Sequence, residues 1–146
     1  MARAAKAAGD PRAADYERRA RSPTPQVIGA DLAEADAAIQ RGDWAKAVVA
    51  YDRILAGTKG GNALVLNNMA YAQSMLGNHD KARNFADQAL KLAPDNASVL
   101  DTAGWVRFRA GQDLDNAKRL LRRAAEHAPQ NKTVQMHLAE ATRAGG

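Results

Sequence analysis

The sequence predicts an all-α fold, a solenoid in which short helices stack in pairs. Three observations carry this. The chain repeats itself about every 35 residues, with Ala47, Ala82 and Ala117 in register and Pro94 and Pro129 likewise. A glycine follows a helical run in each unit, at Gly42, Gly77 and Gly111. The chain is also rich in alanine, with only 5% aromatics, which suits helices held close through small side chains rather than one large core.

The elements follow in order. Residues 1–24 read as a basic, partly helical leader. Within it "AAGDPRAADYERRA" has the look of a degenerate second helix, and the prolines of "RSPTPQ" end it. Residues 25–146 read as one repeat domain, with units at about 27–61, 62–96 and 97–131 and a final helix over 132–143. First helices are predicted at 27–41, 63–76 and 97–110, each closed by a glycine able to take positive φ. Second helices follow. "APDN" and "APQN" end the second and third of them, and their polar groups can cap the next helix. The first unit ends instead on "GTKGG". The third has one extra residue between Gly111 and Ala117, which the turn must absorb.

Small residues in register, Ala35, Ala70 and Gly104 on first helices and Ala47, Ala82 and Ala117 on second, let paired helices approach closely. Larger apolar residues at spacings of three and four seal the stack: Val48, Tyr51, Ile54 and Leu55, then Phe85, Ala89, Leu90 and Leu92, then Leu120, Leu121, Ala124 and Ala125. The final helix keeps Val134, Leu138 and Ala141 on one side and reads as a cover for the last unit, or as the first half of a fourth repeat.

The wording "LNNMAYAQSMLG…LKLAPDNASVLDTAGWV" resembles the tetratricopeptide repeat, a helix–turn–helix unit of 34 residues, in its bacterial form. The resemblance covers roughly 27–131 and is strongest in the second and third units. It implies a right-handed α-solenoid of about three such units plus a C-terminal covering helix. It also implies a concave face lined by first helices, where another polypeptide binds, as in arrays serving envelope assembly, secretion or polysaccharide export. Gln73 and Arg107 stand where the family often has an aromatic, which predicts looser packing between units.

Chemistry is sought and not found. The chain has no cysteine, so disulfides and thiolate metal sites are excluded. Of His79, His127 and His137 only His137 has a partner at metal-like helical spacing, Glu140, short of the three or four ligands a zinc site needs. The glycines form no phosphate loop, and Lys59 in "GTKGG" reads as part of a simple turn. The chain is read as non-catalytic, with no cofactor.

Rotation of about 100° per residue away from the core side sets a groove stripe on each first helix. The first unit offers Leu32, Asp36 and Ile39. The second offers Asn67, Asn68, Tyr71, Ser74 and Met75. The third offers Asp101, Thr102, Trp105, Phe108 and Arg109, and the last helix Met136, His137 and Glu140. The candidate contacts are Asp36, Asn67, Asn68, Tyr71, Met75, Asp101, Trp105, Phe108, Arg109, Met136 and Glu140. Tyr71 and Trp105 hold equivalent positions and should lie side by side, either open in the groove as anchors or packed against a neighbouring helix. Some family members clamp a C-terminal carboxylate with Lys, Asn and Arg. The corresponding positions here are Leu32, Asp36, Asn68, Ser98 and Thr102, and only the Asn matches.

A net charge of +5 is uneven, with six basic and three acidic residues in 1–22, seven and eight in 23–100, and eight and five in 101–146. The resemblance implies that the partner is a protein or peptide. The alternative is nucleic-acid or acidic-surface association through Lys118, Arg119, Arg122 and Arg123 with leader residues Arg18, Arg19 and Arg21. Open solenoid ends also allow a homodimer. No stretch is long and apolar enough for a membrane span. The chain as given reads as cytoplasmic, or as periplasmic if it is a piece of a longer exported protein.

Overall fold

The computed structural model describes residues 25–58 and 61–144. The leader expected over 1–24, with its basic residues, and Lys59 of the first turn lie outside the described residues. Seven helices and no strands occur among the described residues: α1 (Pro25–Arg41), α2 (Trp44–Gly57), α3 (Ala63–Met75), α4 (His79–Leu92), α5 (Ala97–Ala110), α6 (Leu114–His127) and α7 (Lys132–Ala144). They form three antiparallel pairs, α1–α2, α3–α4 and α5–α6, with α7 closing the array. The inner layer runs through α3, α5 and α7, each packed on the next.

The turns obey local chemistry. Gly42, Gly77 and Gly111 take φ of +74°, +84° and +67°, which reverses the chain without a Cβ penalty. The extra residue of the third unit is absorbed at Asp113, which adopts the left-handed region at φ +53° just before α6. Asn62, Asn96 and Asn131 precede the inner helices, and each side-chain oxygen accepts from the backbone N–H three residues on, at Val65 (2.9 Å), Val99 (3.1 Å) and Val134 (3.1 Å). Where the first unit lacks a proline, Thr58 Oγ1 donates to Ile54 O at 2.9 Å and closes the end of α2.

The core is a series of seams rather than one centre. Ala35, Ala47, Ala70, Ala82 and Ala117 are all fully buried, and Gly104 is buried with them. Tyr51, Ile54 and Met69 fill the seam between α1, α2 and α3. Leu100, Val106, Leu120 and Val134 fill the seam that runs on to α7. Leu32 and Ile39, expected on the groove, instead pack against the first seam, because they flank Ala35 and Ala38 on the same helical stripe. Leu92, expected in the seal, is exposed in the last turn of α4.

The expected looseness at Gln73 and Arg107 is replaced by polar ties. Arg107 is buried, donates to Ala103 O at 2.9 Å, and pairs with Asp87 of α4 at 2.7 Å. Gln73 is buried and accepts from Asn78 Nδ2 at 2.7 Å, fastening the α3–α4 turn. These bonds hold adjacent helices where an aromatic would fill space by bulk alone.

Candidate functional site

A cavity of about 290 Å³ opens on the inner layer, between α3, α5 and α7. From α3 it receives Asn67, Asn68 and Tyr71, and from α5 Ser98, Asp101 and Thr102. The turn before α7 and α7 itself add Asn131, Thr133, Val134 and His137. Asn131 therefore has two duties, lining the cavity while its oxygen caps α7. The lining is mostly amide, hydroxyl and carboxylate, unlike the aliphatic seams behind it.

The floor of the cavity is a buried polar pair. His137 Nδ1 lies 2.9 Å from both carboxylate oxygens of Asp101, and the side chains are 7% and 10% exposed. An Nδ1–H donated to the carboxylate satisfies this geometry and fixes the imidazole plane. The ring is also held face-on by Trp105, with centroids 3.9 Å apart and planes 11° from parallel. Trp105 in turn stacks on Phe108 at 5.3 Å. Trp105 is thus partly covered by the last helix, through His137.

Tyr71 takes a different partner. Its ring meets Trp44, at the start of α2, edge-to-face at 5.5 Å and 73°. Asn67 is 6% exposed, and its Oδ1 is buried with no hydrogen-bond partner among the described residues. Such an acceptor carries a desolvation cost of about 1–3 kcal/mol until something donates to it. Behind Asn68, the hydroxyl of Tyr51 is fully buried and donates to Asp36 at 3.5 Å. Burial above all raises the Tyr51 hydroxyl above the ordinary tyrosine value, an Asn68 side-chain hydrogen bond pulls it back, and the Asp36 charge raises it further.

Of the eleven candidate contacts, Asn67, Asn68, Tyr71 and Asp101 meet in the cavity. The others stand elsewhere. Asp36 is exposed on α1, and Met75 is half-buried near the end of α3. Phe108 lies under Trp105, and Arg109 reaches back to α3, donating from Nε to Ser74 Oγ at 3.2 Å. Met136 is 60% exposed, and Glu140 pairs with Arg143 one turn on. Asn131, Thr133 and Val134 line the cavity without having been assigned to it. Asn131 reads in the sequence as a cap, and nothing in the α7 pattern marks Thr133.

On the outer face, Arg123 pairs with Asp95 at 2.9 Å and Arg119 bonds Asn116, while Arg122 is exposed and Lys118 half-buried. No group of three or more metal-ligating side chains occurs among the described residues. None of the described helices is long and apolar enough to cross a membrane.

Fold and groove together define an all-α helical-repeat protein. Residues 63–96 match the family model for the tetratricopeptide repeat. Over 80 residues, 54% of this chain, it is 36% identical to a TPR repeat-containing protein of Pseudomonas aeruginosa, and the match spans only 13% of that protein. The Sgt2 TPR domain from Aspergillus fumigatus superposes with a TM-score of 0.72 at 27% identity, covering 86% of this chain and 82% of that one. The second TPR domain of human RPAP3, solved in complex with an HSP70 peptide, gives a TM-score of 0.68 at 22% identity over 80% and 96% of the chains, a likeness of fold. Residues 63–96 thus match the tetratricopeptide repeat, and the described residues share the fold of TPR domains.

Proposed function

We propose that this chain is a non-catalytic interaction scaffold that holds a segment of another polypeptide against α3, α5 and α7. The observation that carries the reading is the cavity where Asn67, Asn68, Tyr71 and Asp101 converge from two helices on the inner layer. Side-chain amides donate and accept together, which matches the alternation of a peptide backbone. A binding site of this kind needs a few fixed polar groups beside a partly apolar wall, and Tyr71 with Val134 supplies that wall. A peptide complex of a domain with the same fold, that of human RPAP3, supports the mode of use.

We read the larger setting as a bacterial envelope, secretion or polysaccharide-export assembly. The support is the bacterial wording of the repeats and the likeness to the Pseudomonas protein, of which this chain resembles a small part.

The test is capture of partners from the source cell by the wild-type chain and by an Asn68→Ala/Tyr71→Ala double variant. Trp105 is a poor choice for this test, because it holds His137 and α7 in place. Partners retained by the wild type should be lost from a double variant whose circular dichroism is unchanged. Equal retention by both would sink the groove reading, and the identity of the captured protein tests the assembly.

A further inference from the structure

The cavity has an uneven hydrogen-bond ledger. Asn67 and Asp101 are only 6% and 7% exposed, and both line it. Asn67 Oδ1, itself enclosed, has no donor among the described residues. The two oxygens of Asp101 share one donor, His137 Nδ1, although a carboxylate accepts about four hydrogen bonds. Asp101 therefore brings to the cavity acceptor capacity that its one donor does not fill. Unpaired acceptors and partly paired carboxylates in a low-dielectric setting favour whatever ligand completes them.

The charge points the same way. Among the described residues no lysine or arginine lines the cavity, and Asp101 is the one acid that does. Ser98, Thr102 and Tyr71 bring hydroxyls that can serve as acceptors. The nearest cations in sequence are placed elsewhere. Lys132 is exposed at the start of α7, and Arg109 is held by Ser74 farther along α5. The volume, about 290 Å³, is at the lower limit of small-molecule pockets and suits one long side chain.

We propose that this cavity takes a basic side chain, arginine or lysine, from the bound polypeptide, and that it selects against a carboxylate. The inference rests on the reading of the groove as a peptide site and adds the chemical class of its anchor. Guanidinium and ammonium groups carry donors and no acceptors, so they complete the unfilled sites of Asp101 and the hydroxyls beside it. A carboxylate would bring more acceptors and a like charge beside Asp101.

The experiment uses the full chain, isotope-labelled, and three pools of short peptides. All are acetylated and amidated, share the same mixed neutral flanks, and differ only in a central arginine, glutamate or norleucine. Binding is read from the amide resonances of Asn67, Asn68, Asp101, Thr102 and His137. The arginine pool should bind about tenfold or more tightly than the glutamate pool, as expected for an opposite against a like charge at a desolvated acid. Asp101→Asn keeps the side-chain shape and should erase most of that preference. If this variant does not fold, the wild-type comparison of the three pools decides alone. Equal shifts from all three pools overturn the selection and leave the groove reading standing, and a preference for glutamate does the same. Shifts confined to other surfaces, or none at all, overturn both.

Discussion

Replacing Gly104 by alanine adds one methyl group to α5 at the point where α6 crosses it. The added Cβ would lie 2.8 Å from the backbone oxygen of Ala117, 2.8 Å from Leu121 Cγ and 3.1 Å from Leu121 Cδ2. Leu121 is itself fully buried, so its side chain has little room to turn away. The Ala117 oxygen belongs to the α6 backbone and yields only if that helix moves. Helix propensity argues the other way, since alanine is better than glycine in a helix interior by about 0.8–1.0 kcal/mol. Overpacking of a filled core costs about 1–3 kcal/mol, and contact with backbone places this case near the top of that range. The net expectation is a loss of about 2 kcal/mol, which lowers the melting temperature by about 4–8 °C for a chain of this size.

Gly29 on α1 supplies the control. A Cβ there meets nothing within 4 Å among the described residues, so propensity decides, and Gly29→Ala should gain roughly 0.5–1 kcal/mol. The same substitution in two helices is thus expected to move stability in opposite directions. Thermal and urea unfolding followed by far-UV circular dichroism measures both. A Gly104→Ala protein as stable as Gly29→Ala would refute the claim that helix contact sets this position.

Two further predictions concern buried polar groups. The Tyr51 hydroxyl holds its proton more tightly in the folded chain than in the unfolded one, chiefly through burial. Its stabilising contribution is therefore complete below pH about 10, the unfolded value, and falls as pH rises through the higher folded value. Tyr51→Phe should flatten the alkaline loss in urea midpoints, and an unchanged slope would count against it. Arg107 is buried, while its partner Asp87 is exposed enough to be solvated alone. Arg107→Met should cost no more than about 1 kcal/mol and Arg107→Ala about 2–3 kcal/mol, and equal losses would show that charge pairing outweighs packing.

Much of the array is legible in the sequence because it is written locally. Gly77 at φ +84°, the caps at Asn96 and Asn131, and Gly104 against Ala117 each follow from a residue type at a fixed offset. The insertion at the third turn is legible too, although not that Asp113 would take the left-handed conformation. What lies between units is less so. Arg107 reads as a gap left by an absent aromatic, because nothing in α5 says that Asp87 faces it from α4. Leu32 and Ile39 read as groove residues because an apolar stripe on α1 is wide enough to assign either way until its neighbours are known.

The cavity shows why a stripe on a helix is only half of a groove. Equivalent positions form two rows along the inner layer: Asn67, Asp101 and Met136, and beside it Asn68, Thr102 and His137. The structure joins the rows diagonally, since Asp101 of one unit bonds His137 of the next rather than facing its own equivalent, Met136. Met136 holds the register of a groove residue, but α7 is the last described helix, so no neighbour offers a second-row residue to meet it, and it stands exposed. One unit earlier the equivalent pair is Asn67 and Thr102, and both line the cavity. There the bond is not made, and Asn67 Oδ1 is left without a donor among the described residues. The closed diagonal, backed by Trp105, gives the cavity a fixed carboxylate.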